Sequence, residues 1–133
     1  MEQNNFTAPP QYKETVREQR QVSIDEAIKR GFQNYINFNG RASRSEYWWW
    51  ALFSFAVGIV AGWLGEVVAG IATLALLLPG LAVAVRRLHD IGKGGGYIFM
   101  ALIPVVGAII LLLWYCKPSE EGNNRFGAEP NMA

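Results

Sequence analysis

The chain has 133 residues, 51% of them apolar, and a formal net charge of +1. That length holds one compact unit, and so even a charge balance gives no electrostatic pull toward nucleic acid. Charged residues make up 17%, below the roughly 25% usual in soluble domains, and they are sorted into blocks: residues 47–85 carry one charge, Glu66, and residues 97–116 carry none.

Residues 1–22 are polar and non-periodic, with Pro9 and Pro10 and no apolar stretch that would make a cleavable signal peptide. They predict a flexible N-terminal tail. A membrane domain is expected over 23–130. It opens with a helix over 24–36, where Ser23 and Glu26 form a capping-box pattern. Ile24, Ala27, Ile28, Phe32, Tyr35 and Ile36 recur on one face. Asp25–Lys29 and Glu26–Arg30 are i,i+4 pairs in the favourable order. Gly31 in the middle costs about 1 kcal/mol against alanine. At about 13 residues this amphipathic helix is too short to span; it is expected in the membrane interface or on the cytoplasmic end of the bundle. Asn37, Asn39 and Gly40 end it.

Ser43 and Glu46 form a second capping-box pattern before the apolar run 47–65. Glu66 interrupts, the next run is 67–85, and Arg86-Arg87 closes it abruptly. As one helix, residues 47–85 would be about 58 Å long, nearly twice a ~30 Å hydrocarbon core, so they must fold back. Gly62, Gly65 and Glu66 mark the turn. The third run, 97–116, has the roughly 20 residues that one crossing needs. Pro79 and Pro104 lie inside the second and third runs, where each frees a carbonyl and kinks its helix. Tyr47, Trp48, Trp49 and Trp50 mark one interface and Trp63 the other, while Tyr97 and Trp114-Tyr115 bracket the third run. The polar tail 117–133 follows.

These features predict an all-α, small polytopic membrane protein: three transmembrane helices preceded by an amphipathic interfacial helix. Lys29, Arg30, Arg41, Arg44, Arg86, Arg87 and Lys93 would lie on one side, against Lys117 and Arg125 on the other, seven to two. The positive-inside rule then puts the N-terminus in the cytoplasm and the C-terminus outside.

Several segments together resemble the domain-of-unknown-function family 805, small bacterial inner membrane proteins of the YhaH type. They are residues 38–49 (FNGRASRSEYWW), 78–83 (LPGLAV), 86–90 (RRLHD), Ile103-Pro104 and 124–127 (NRFG). The resemblance covers roughly residues 24–130. It implies a location in the bacterial cytoplasmic membrane and a small helical domain, and it implies no activity; the apolar runs make the expected location multi-pass. One departure is Gly94-Gly95-Gly96-Tyr97, where the family often carries Gly-Trp-Trp.

Arg86-Arg87-Leu88-His89-Asp90 is the densest polar cluster. On a helical extension of the second span, Arg86 and Asp90 would pair at i,i+4, with His89 on the same side. The cluster reads first as an anchor for lipid phosphates, next as a clamp to Glu46 or Asp25, and last as a titrating site at His89 and Asp90. Arg41 and Arg44, with Arg86, Arg87 and Lys93, form a candidate patch for anionic lipid on the cytoplasmic side or for a partner protein. Lys93-Gly94-Gly95-Gly96 lacks phosphate-loop spacing and reads as a flexible connector. Gly58 and Gly62 are spaced for close helix packing, within the chain or along a homo-oligomer seam. Cys116, with only Lys117 beside it, reads as a small packing residue.

No nucleophile–base pair, metal shell or cofactor loop can be assembled from these residues, so no enzyme activity, cofactor, metal or nucleic acid is expected. The spans carry no Asp, Glu, Lys, Arg or His for a proton relay. The leading expectation is a non-enzymatic membrane adaptor or organising component. The alternative is a subunit of an oligomeric channel or transporter.

Overall fold

The computed structural model describes residues 21–130. Their regular elements are all helical, with no strand among the described residues: α1 (Ile24–Gln33), α2 (Arg44–Leu64), α3 (Glu66–Asp90), a 3-10 helix (Gly95–Leu102) and α4 (Val106–Tyr115). The expected flexible tail lies outside the described residues except for Gln21 and Val22. Val22 is buried and donates its N–H to Ser45 Oγ at 3.0 Å.

The start of α1 departs from the expected capping box. The Ser23 hydroxyl donates to Asp25 Oδ1 at 2.6 Å and caps no helix N–H. That bond holds the Asp25 carboxyl below its usual range. The helix stops at Gln33, short of residue 36, because Asn34 bonds the Arg30 carbonyl with both its backbone N–H and its side-chain amide. Gly31 has a packing reason: a Cβ there would run into the Trp50 ring. Phe32 completes the contact, edge-on to Trp50 at 5.3 Å and to Phe53 at 6.0 Å. With Arg30 near Glu46 and Tyr35 reaching Ala75, α1 and the residues after it pack against the next two helices.

Those two helices form an antiparallel hairpin. Ser43 caps α2 as expected, accepting from Glu46 N at 3.3 Å. Gly65 alone makes the turn, at a φ of 129° that a residue with a Cβ rarely adopts. The second helix runs past Val85 to Asp90, where it ends in a Schellman motif: Lys93 N bonds Leu88 O, Gly92 N bonds His89 O, and Gly92 has a φ of 82°. Pro79 lies inside α3 and has no N–H to give to the carbonyl four residues back. That carbonyl, Ala75 O, instead accepts from the Tyr35 hydroxyl.

The third apolar run does not form one membrane-length helix. Its first part is the 3-10 helix, its second part is α4, and the chain turns back between them. Val105, at φ 64° and ψ −62°, closes a classic γ-turn in which Val106 N bonds Pro104 O at 2.6 Å. Pro104 therefore sits in the turn and kinks no helix. The two arms touch closely enough that a Cβ at Gly107 would collide with the Met100 carbonyl oxygen. Tyr97 and Trp114, expected at opposite interfaces, meet edge to face at 5.5 Å. Nor is residue 93–96 a free connector, since Gly95 packs so near α3 that a Cβ would stand 2.9 Å from Val85 Cγ1.

The packed core is confined to one end. Ala84, Leu88, Leu111 and Tyr115 form one cluster, with Tyr47, Trp48 and Met100 against it; Ala42, Trp50 and Val83 form the other. Beyond these and the buried Ala61 and Pro79, most of the α2–α3 hairpin is bare: Trp63 is 82% exposed, Val67 76% and Leu74 71%. Both helices are long and apolar enough to cross a membrane, and only 11% of the most apolar window of α2 and 22% of that of α3 is buried. The core helix of a soluble protein would have those faces covered.

Candidate functional site: a buried ion-pair cap

The polar residues singled out in the sequence converge at the packed end of the hairpin. The centre is Asp90, fully buried. Its Oδ1 accepts from Arg41 Nε at 3.0 Å, and its Oδ2 accepts from Arg87 Nη1 at 2.8 Å and from the Ser119 hydroxyl. The expected Arg86–Asp90 pair is replaced by Arg87–Asp90 at i,i+3.

Arg41 is held from every donor. Besides Asp90 Oδ1 it donates to the carbonyls of Gly122, Gly127, Glu120 and Asp90. Five acceptors match the five N–H groups of a guanidinium. Three of them belong to the C-terminal segment, so Arg41 straps residues 120–127 onto the end of α3. Arg87 does the same for α4: it donates to the carbonyls of Tyr115 and Lys117, and Arg44 donates to that of Cys116 at 2.9 Å. Trp48 Nε1 adds a bond to Tyr115 O at 3.1 Å. Cations at a helix C-terminus also complement its dipole. These contacts bring the tail back to the end that holds the α1–α2 loop. An outside C-terminus opposite that loop does not fit this arrangement.

A second buried network lies beside the first. Glu46, 2% exposed, accepts from Arg86 Nη1 at 2.8 Å and faces Arg30 Nη1 at 3.6 Å. The Arg86 carbonyl accepts from Ala42 N at 3.0 Å, fastening the loop before α2 to α3. Arg86 Nε and Nη2 are buried with no partner.

His89 is a wall of the cap. Its Nδ1 lies 2.9 Å from the Gly40 carbonyl, and since a carbonyl only accepts, Nδ1 carries the hydrogen. Phe126 stacks on the imidazole at 3.9 Å between centroids, with the Arg125 guanidinium over the phenyl face. The Asn-Arg-Phe-Gly segment delivers that ring through a tight turn. Asn124 and Gly127 exchange backbone bonds, and the Asn124 amide donates to His89 O at 2.9 Å.

Arg41, Arg86, Arg87, His89 and Asp90 are thus together and buried. Arg44 is exposed, and half-buried Lys93 points its ammonium over the Trp114 ring at 4.9 Å. Gly58 and Gly62 stand apart: a Cβ on either would meet nothing within 4 Å, so neither makes a close approach inside the chain. Among the described residues no three His, Cys, Asp or Glu side chains gather as a metal shell would require. Sequence reasoning weighed Glu46 as a capping-box residue and as one end of a clamp. It missed Ser119 and Glu120, because residues in irregular segments leave no periodic trace, and the Tyr35–Ala75 bond, because its partners are forty residues apart.

Two apolar, membrane-length helices joined by one glycine, with a locked polar cap at the far end from that turn, define a class of small helical membrane protein. The chain belongs to the family described as protein of unknown function DUF805, whose model matches residues 35–128. Inner membrane protein YhaI of Escherichia coli K12 is 35% identical over 108 residues, covering 75% of this chain and 91% of the relative. Inner membrane protein YhaH of the same strain is 36% identical over 111 residues, covering 75% and 92%. The uncharacterized protein YiiR of that strain is 37% identical over 74 residues, covering 51% of each chain. No solved structure matches the chain at a significant level.

Proposed function

We propose that the chain is a bacterial inner membrane protein that crosses the bilayer twice, through α2 and α3, and dips its third apolar run into the membrane as a re-entrant hairpin. The contact between Tyr97 and Trp114 carries this reading, because it joins the two ends of that run. The eight-residue 3-10 arm and the ten-residue α4 arm are each about 15 Å long, half of a ~30 Å core. The N-terminal segment, the loop after α3 and the tail then share one side. All nine cations from Lys29 to Arg125 go with them, and the turn at Gly65 has none. By the positive-inside rule that side is the cytoplasm. The relatives named as inner membrane proteins support the location.

The task most in keeping with this geometry is that of a non-enzymatic adaptor or organising component. The buried carboxylates Glu46 and Asp90 are each bound by guanidiniums, and Arg41 and Arg87 also bind backbone carbonyls, which suits a rigid cytoplasmic cap. Of the candidate patch, Arg44 and Lys93 are left to meet anionic lipid, beside the exposed Lys29, Lys117 and Arg125. The bare flanks of α2 and α3, with Gly58 and Gly62, are the surface for a membrane partner or a second copy. Purification of the tagged chain from native membranes in mild detergent should bring down a stoichiometric membrane protein. Recovery of the chain alone, together with ion flux through liposomes that contain nothing else, would replace this reading by a channel.

One observation favours that second reading. The turn at residues 103–105 is irregular backbone with exposed apolar side chains, Ile103 at 49% and Val105 at 70%. Irregular backbone is unfavourable against lipid, so neighbouring copies would have to cover it in an oligomeric channel or transporter.

A further inference from the structure

Between α2 and α3 lies a lateral, mostly apolar groove of about 380 Å³, running from Tyr47 and Ala84 at the capped end to Gly58 and Ala72. Tyr47 to Gly58 on one helix, or Ala84 to Ala72 on the other, is about 17 Å, close to the depth of one leaflet of a ~30 Å core. One polar group in its wall is unsatisfied. Trp50 is 2% exposed, and its Nε1 has no acceptor. That nitrogen lies beside Gly80, which also lines the groove: an added Cβ there would stand 3.9 Å from it. A buried donor without an acceptor is costly, and in hydrocarbon no water offsets the cost.

We propose that the groove seats one acyl chain of a diacyl phospholipid from the leaflet next to the ion-pair cap, with the lipid's ester carbonyl accepting from Trp50 Nε1. The position fits: Trp50 lies at the shallow end of the groove, less than two turns into α2, where carbonyls divide head groups from hydrocarbon. A helix from a second copy fits less well, because its backbone carbonyls are already bonded within it. The inference rests on α2 and α3 as membrane spans. Extraction of membranes at alkaline pH tests that separately, since release without detergent would sink the spans themselves.

The test uses the full chain in detergent and native mass spectrometry, with dipalmitoyl phosphatidylglycerol competing against its dihexadecyl ether analogue. The two share head group and chain length and differ in the ester carbonyls. The unmodified protein should hold one lipid and favour the diester about threefold to tenfold, the span of a neutral hydrogen bond. Trp50→Phe should still bind lipid and lose the preference. Gly80→Leu, which fills the groove, should bind none while keeping its unfolding temperature. Equal retention of the two lipids by the unmodified chain would overturn the proposal. So would a preference that survives Trp50→Phe, undiminished binding by Gly80→Leu, or efficient disulfide dimers of Ala72→Cys in a Cys116→Ser background, which would put a second copy in the groove.

Discussion

Asp90 carries a single negative charge between two buried guanidiniums, Arg41 and Arg87. Removing one partner of a buried pair leaves an uncompensated charge and costs about 3–5 kcal/mol. Asp90→Ala should therefore lower stability by roughly that amount in thermal or SDS unfolding, and Glu46→Ala should act likewise by stranding Arg86. A loss below about 1 kcal/mol would mean that water or lipid already satisfies these arginines. Val105 makes the opposite case. A β-branched residue at φ 64° is a true outlier, and strain of this kind costs on the order of 1–3 kcal/mol. Val105→Gly should raise stability by about 1 kcal/mol, and Val105→Ala should gain far less, because alanine keeps the Cβ that makes the conformation unfavourable. Equal effects from the two would place the strain elsewhere.

At the scale of the element, Pro79 and Tyr35 form one device. The proline removes the donor for Ala75 O, and a hydroxyl forty residues earlier in the chain supplies another. Tyr35→Phe should cost about 1–3 kcal/mol by leaving a carbonyl unsatisfied. In a Pro79→Ala background, where the helix regains its own N–H, the same substitution should cost close to nothing. A double-mutant cycle by SDS unfolding measures this coupling; additive effects would show that the tyrosine acts through packing alone. The third apolar run teaches a related lesson. Its composition suits a spanning helix, and twenty uncharged residues cannot reveal that the chain reverses at 103–105. That reversal depends on Gly107 admitting the Met100 carbonyl, a contact between arms. Gly107→Leu should force the arms apart, detectable as loss of Trp114 fluorescence quenching or of near-UV dichroism from the Tyr97–Trp114 pair; unchanged spectra would contradict the hairpin.

For the whole molecule, the consequence is sidedness. Cys116 is exposed and follows the hairpin's returning arm. As the chain's one thiol, it is a built-in topology probe. A membrane-impermeant maleimide should label it in inside-out vesicles and spare it in intact spheroplasts. Glu66→Cys in a Cys116→Ser background should give the reverse pattern. Labelling of Cys116 from outside would restore three crossings and divide the tail from the cap.

The sequence by itself determined the membrane class, the two long helices, the Ser43 cap, the turn near Gly65 and the basic bias. Each of these is a local quantity, set by what a short stretch of chain prefers to be solvated by or which N–H a neighbouring side chain can reach. Tertiary structure decided which carboxylate holds which arginine, the return of the third run, and the seating of Asn124–Gly127 on His89. Arg41 and Asp90 are forty-nine positions apart, and Tyr97 finds Trp114 only once the backbone has reversed. Such partners are chosen by the desolvation cost of charges and carbonyls that packing has already enclosed, and hydropathy along the chain carries no record of that enclosure.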